Sequence, residues 1–218
     1  MLTPEEIRAN ISALEERIAA ACKRAGRARE SVTLIAVTKT FPAAAAEAAI
    51  AAGIHDLGEN RVQEARDKIP QVHGQARWHL IGHLQSNKAK DAAKIFDVVQ
   101  TVDSVELARK ISRNATSTRT VLIEVNIGRE DQKAGVDPDH AARLVDEARK
   151  MPNLDVRGLM TIPPVESDVR RHFSTLRALR DGLGLTELSM GMTADFEVAI
   201  EEGSTMVRVG RAIFGARG

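Results

Sequence analysis

Residues 33–42 read TLIAVTKTFP. Apolar and β-branched residues run up to Thr38, Lys39 follows, and Pro42 stops the pattern three residues later. The run has the length and composition of a buried strand, yet it ends on an ammonium. What comes after it decides the fold. An open, doubly wound nucleotide-binding sheet calls for a Gly-x-Gly-x-x-Gly turn after its first strand. This turn has no glycine. Downstream, short apolar runs alternate with Ala- and charge-rich stretches. Strands are expected near 33–38, 54–57, 78–82, 97–101, 120–126, 155–159, 186–190 and 206–209, and helices near 43–52, 60–69, 86–94, 104–114, 138–150, 166–181 and 194–201. Several runs are apolar on both faces, as a parallel sheet covered on both sides requires. Strand–helix alternation implies parallel pairing through right-handed crossovers. Eight such strands close a (β/α)8 TIM barrel, and 218 residues fall in the lower part of its size range. There is no linker, low-complexity block or short repeat, so residues 1–218 are expected to form a single domain.

One helix precedes this pattern. In MLTPEEIRANISALEERIAAACKRAG, Thr3 and Glu6 form a Thr-x-x-Glu capping box, and Pro4 fits the first turn. Ile7, Ile11, Leu14, Ile18 and Cys22 then make one apolar stripe. The stretch lacks the long apolar run of a signal peptide or a membrane span. Thirty-one basic residues against thirty acidic ones leave no positive excess to hold a nucleic acid by bulk electrostatics. The lone Cys22 has no disulfide partner, which suits a reducing compartment, and the expectation is a cytoplasmic protein without membrane attachment. On the apolar stripe, Cys22 reads as packing and not as a reactive thiol. The chain contains no tyrosine, so no mechanism can draw on a phenolic acid or base.

The active face of such a barrel is the C-terminal end of its strands. Lys39 follows the first strand; GENRVQE, with Glu59, Asn60 and Arg61, follows the second; HLIGHLQSNK follows the third; Glu124 and Asn126 end the fifth. The last two loops are the recurrent phosphate site of this fold. SMGM supplies the Ser189 hydroxyl and, at Gly191, room for backbone to approach a ligand. VGRAIFG supplies Gly210 and the start of a short helix, whose free N–H groups favour an anion, with Arg208 and Arg211 adding charge. Taken alone, each loop is compatible with plain turn chemistry, and Lys39 with a rim lysine whose stem lies along apolar surface. Closure links them, because strand eight then pairs with strand one and brings Lys39 beside the phosphate loops. A lysine amine next to bound phosphate suggests pyridoxal 5′-phosphate held as a Schiff base. His79 and His83 are four apart, but WHLIGH reads as a strand and no third ligand is evident, so zinc is not expected and His79 reads as a pocket residue.

AVTKTFP, GENRVQE, WHLIGHLQSNK, LIEVNIGREDQKAG, GLMTIPP and LSMGMTADFEVAIEEGSTMVRVGRAIFG together resemble the pyridoxal phosphate homeostasis family across nearly the whole chain after the first helix. The resemblance implies a barrel like the N-terminal domain of alanine racemase (fold type III), with the cofactor on Lys39. It also implies Asn60 and Met160 near the ring, Ser189, Gly191, Arg208, Gly210 and Arg211 around the phosphate, and Met190 among the cofactor-binding residues. Where many relatives carry Ser or Thr this chain has Arg211, so the contact expected there is the backbone N–H. The implied function is intracellular vitamin B6 homeostasis, binding the cofactor and buffering or delivering it, with pyridoxal-phosphate-dependent apoenzymes as recipients. No catalytic residue is assigned and a monomer is expected. The competing reading is an amino-acid racemase or lyase using Lys39 as base.

Overall fold

The computed structural model describes residues 2–164 and 168–216. The elements are α1 (Pro4–Arg24), β1 (Thr33–Val37), α2 (Ala43–Ala51), β2 (Asp56–Glu59), α3 (Val62–Lys68), β3 (Arg77–Leu80), α4 (Ala89–Ile95), β4 (Val98–Val102), α5 (Val105–Asn114), β5 (Arg119–Glu124), α6 (Pro138–Arg149), β6 (Leu154–Met160), α7 (Val169–Gly182), β7 (Glu187–Ser189), α8 (Phe196–Glu201), β8 (Met206–Val209) and α9 (Arg211–Phe214). All eight strands pair in parallel and in sequence order. The sheet closes where Thr33–Ala36 of β1 run in register with Met206–Val209 of β8. The expected (β/α)8 barrel with an extra N-terminal helix is therefore the observed fold.

Most element boundaries agree with the sequence expectation within two residues. The second strand begins at Asp56, not Ile54, because the Ile54 N–H still bonds to Ala49 O in the turn that ends α2. The fourth helix begins only at Ala89, after a 3₁₀ turn over Ser86–Lys88. The helix expected from 166 starts at Val169, capped by Asp168, and positions 166–167 lie outside the described residues. In α1 the Thr3 hydroxyl and the Glu6 carboxylate accept each other's backbone N–H, as the capping box predicts. The buried stripe of α1, Cys22 included, packs against α2, α8 and α9 over the β8–β1 seam. Among the described residues no helix is long and apolar enough to cross a membrane.

The core has two unequal layers. Between the strands and the helix ring lies a continuous apolar shell that includes Leu34, Ala36, Leu57, Trp78, Leu80, Val99, Ile123, Leu159, Leu188, Val207 and Val209. Strand alternation turns the intervening residues into the barrel. There the apolar filling is a separate group of four, Ile35, Leu122, Met160 and Met206. The other inward positions include His79, Gln100, Glu124, Ser189 and Arg208, all buried. Strands that read as apolar on both faces thus enclose a polar centre.

Candidate functional site

Lys39 leaves the end of β1 at the C-terminal mouth and lines a cavity of about 300 Å³ together with Val37, Asn60, Ile81, Ile162, Met192, Arg208, Gly210 and Arg211. Val37, Lys39, Gly210 and Arg211 also line a smaller adjoining cavity of about 210 Å³. The wall behind Lys39 is braced. Thr38 points outward, where its hydroxyl donates to Glu59 (2.6 Å) and its carbonyl accepts from Lys68 Nζ (2.7 Å). Lys68 Nζ also donates to Glu59 (2.6 Å) and Glu64 (3.0 Å). Glu64 takes the N–H of Thr40, whose φ of 67° lies in the left-handed region that residues other than Gly, Asn and Asp avoid. The backbone on both sides of Lys39 is therefore gripped by one buried ion cluster. Burial pushes the Glu59 carboxyl above its ordinary value, and the hydrogen bonds from Lys68 and Thr38 oppose that rise.

On the opposite wall, Gly210 tucks against β1. A Cβ there would sit 3.1 Å from Val37 O, so any larger residue would have to push the β1 backbone back by a few tenths of an ångström. The opening N–H groups of a helix have no intrahelical acceptor, and in α9 the cap Gly210 and the first helical residue Arg211 line the cavity. Gly191 has φ +95°, and a Cβ would meet that of Ala199 at 2.5 Å. The loop after β7 can reach its position over α8 only with glycine there.

Of the site residues expected from sequence, Lys39, Asn60, Arg208, Gly210 and Arg211 converge on the larger cavity. Met160 and Ser189 lie buried inside the barrel, Met190 packs in the outer shell, and Gly191 shapes the loop after β7. The Ser189 hydroxyl, read as a phosphate donor, here donates to Gln100 Oε1 (2.6 Å) and accepts from Arg208 Nη1 (2.6 Å). Arg208 Nη2 donates to Thr161 O (2.9 Å). Burial draws the Arg208 guanidinium down to about 10, partly offset by Glu124 and Asp195, and it stays cationic at neutral pH. Glu124, also buried, is raised to about 7 by burial and by Asp103 against the opposing pull of Arg208. His79 and His83 do not share a site. His79 lies inside the barrel between Asp56 and Gln100, while His83 is exposed beside Asp103.

Sequence reasoning missed the apolar lining, Val37, Ile81, Ile162 and Met192. Among the described residues, Ile162 and Met192 are the large apolar side chains left exposed, at 41% and 37%. A signal was present in GLMTIPP and SMGMTADF, where each contributes an apolar residue just beyond the loop residues singled out. A planar aromatic aldehyde that carries a phosphate needs such a surface for its ring, a lysine amine for its aldehyde, an anion cradle for its phosphate and a polar group for its ring substituents. The residues present fit pyridoxal phosphate on this count. Asn60 Oδ1 is buried with no hydrogen-bond partner among the described residues, and Asn60 lines the same cavity as Lys39.

Residues 9–218 match the family model described as the alanine racemase N-terminal domain. The chain is 42% identical, over 95% of its length and 96% of the relative, to the pyridoxal phosphate homeostasis protein of Aquifex aeolicus. Among solved structures it is similar to an unknown protein from Bifidobacterium adolescentis (41% identity, TM-score 0.91, covering 97% of this chain and 95% of that one). It is also similar to PipY of Synechococcus elongatus with pyridoxal phosphate bound (34% identity, TM-score 0.83, covering 96% and 100%).

Proposed function

Since the chain belongs to the family of the alanine racemase N-terminal domain, we propose that it is a pyridoxal 5′-phosphate-binding protein of vitamin B6 homeostasis, which holds the cofactor on Lys39 and buffers it or delivers it to apoenzymes. The observation that carries the reading is the convergence on one cavity of Lys39, the unpartnered Asn60 Oδ1, Arg208 and the start of α9. The names of its relatives support the same reading.

When bound, the cofactor supplies an aldehyde that condenses with a lysine amine. The chain supplies the rest. Thr38 and Thr40, fixed by the Lys68 cluster, set where the Lys39 stem emerges. Ile81, Ile162 and Met192 offer apolar surface to a ring, and Asn60 an acceptor to its substituents. The N–H groups at Gly210 and Arg211, with the loop at Gly191, would hold the phosphate. Racemisation needs a second acid/base within about 3 Å on the face opposite the lysine. The chain has no tyrosine to serve there, and the function proposed is binding without turnover. Inversion of L-alanine in deuterated water at tens of turnovers per second, a rate typical of enzymes, would promote the racemase alternative.

The test is direct. Purified protein loaded with pyridoxal phosphate should show an absorption band that borohydride removes, and mass spectrometry should then find the label on Lys39. Lys39→Ala should lose the label and keep its fold. A label on another lysine, such as Lys88, would overturn the assignment.

A further inference from the structure

The polar centre of the barrel has a direction. Arg208 Nη1 donates to Ser189 Oγ, and the Ser189 hydroxyl donates to Gln100 Oε1. This fixes the Gln100 amide, so its Nε2 faces His79 Nδ1 at 3.0 Å as donor. Nδ1 must then be the bare nitrogen, and the ring proton sits on Nε2, 2.7 Å from Asp56 Oδ1. Among the described residues, the other group Gln100 Nε2 reaches is the Met206 sulfur, at 3.6 Å. Four links across five strands thus run in one sense, from Arg208, which lines the cavity, to the accepting carboxylate of Asp56 at the far mouth of the barrel. Reversing any one link would leave two donors or two acceptors face to face.

We propose that Gln100 is a positioning residue for the cavity, its amide oriented by His79 and Asp56 so that it holds Ser189 and, through it, Arg208 in place against the bound cofactor. The inference rests on the cofactor reading given above. Buried polar groups are costly to leave unpaired, and a chain of this kind specifies one arrangement because each member is satisfied only there. Gln100 touches no part of the cavity itself. Its effect on a ligand must pass through the two residues it orients.

Gln100→Leu keeps the bulk and removes both hydrogen bonds. The expected result is pyridoxal phosphate affinity about tenfold weaker, the loss of one or two net hydrogen bonds' worth of positioning, with a displaced absorption maximum for the bound cofactor. In the ligand-free protein, the ¹⁵N signals of the His79 imidazole should report the Nε2–H tautomer natively, and in Gln100→Leu the Nδ1 signal should shift as it loses its donor while the proton stays on Nε2 against Asp56. Asp56→Leu, at the other end of the chain, should move affinity and spectrum in the same sense by less. Asp56→Asn, which keeps an acceptor for the imidazole, should restore both. Native affinity and spectrum in Gln100→Leu and Asp56→Leu, with lowered stability alone, would overturn the proposal. If Gln100→Leu does not fold, the contrast between Asp56→Leu and Asp56→Asn decides. A native protein with no cofactor band would instead refute the cofactor reading, while unchanged His79 signals in Gln100→Leu would refute the chain by itself.

Discussion

Two buried polar assemblies flank the cavity, and they are built on opposite plans. Outside the barrel wall, one ammonium, Lys68, faces the carboxylates of Glu59 and Glu64 with the Thr38 carbonyl between them, all within 3.0 Å of Nζ. Inside the barrel, the guanidinium of Arg208 and the carboxylate of Asp56 are kept apart by Ser189, Gln100 and the neutral imidazole of His79. Desolvation is the main reason His79 stays neutral, since it lowers the imidazole's pKa despite the nearby Asp56. Concentrated charge makes a rigid brace, because each ion is intolerable without its partner. Dispersed charge makes an orienting chain, in which each link is worth about 1 kcal/mol and the information lies in the direction of donation. The brace stands where the backbone is strained, at Thr40, and the chain where a side chain must be aimed, at Arg208.

The sharpest way to break this contrast is to remove the ammonium. Lys68→Met leaves buried carboxylates without a counter-charge, which costs about 3–5 kcal/mol. The thermal midpoint of the ligand-free protein should fall by roughly 6–20 °C. Adding Glu59→Gln should recover part of that loss, and the deficit should narrow toward pH 5 as the remaining carboxyls neutralise. A fall no greater than that of Gln100→Leu would mean that the two assemblies do not differ in kind.

Glu124 sharpens the comparison from a third position, since it belongs to neither plan. Its Oε2 is buried without a hydrogen-bond partner among the described residues, and Arg208 acts on it only through space. The rise of its pKa from 4.5 to about 7 means that folding favours the neutral acid. The folded state then binds more protons than the unfolded chain between those two values, so this contribution is present in full below about 4.5 and is lost as pH rises through 7. The cost of the buried charge above pH 7 is about 3 kcal/mol. Glu124→Gln should therefore match the native thermal midpoint near pH 5 and exceed it near pH 8. A difference between the two proteins that does not vary with pH would count against a buried, uncompensated carboxyl.

How far the sequence could be read follows from the same contrast. The barrel was legible because its signal is local: eight apolar runs, each followed by a helical pattern, and a first turn without glycine. Lys39, Gly191 and Gly210 were legible because strand ends and tight turns announce themselves. Asn60 and Arg208 entered through family resemblance as well as position, and both line the cavity. Gln100 was not legible. In DVVQTV it reads as one polar residue in an apolar strand, and only its register with His79 and Ser189, 21 and 89 positions away, gives it a role. Lys68 and Glu64 were hidden for a related reason. On a short, charge-rich helix they look like a solvated face, and only the packing of α3 on β1 and β2 turns them inward. Ser189 was read as a donor toward the mouth because of its place at a strand end, whereas the pleat directs its hydroxyl into the barrel.

The smallest expected effect separates the two arginines of VRVGRAIFG. Arg208 is buried and hydrogen-bonded at both nitrogens of its fork. Arg211 is exposed at the first position of α9. If the phosphate is held by backbone N–H groups at Gly210 and Arg211, the Arg211 guanidinium adds only screened surface attraction, worth about 0–1 kcal/mol. Arg211→Ser should then weaken pyridoxal phosphate binding by less than about fivefold. The difference should fade in high salt, where the Debye length falls to about 3 Å at 1 M. Pyridoxal without the phosphate should bind both proteins equally. A much larger loss that persists in high salt would assign the phosphate to the Arg211 side chain, and the exposed arginine would then matter as much as the buried one.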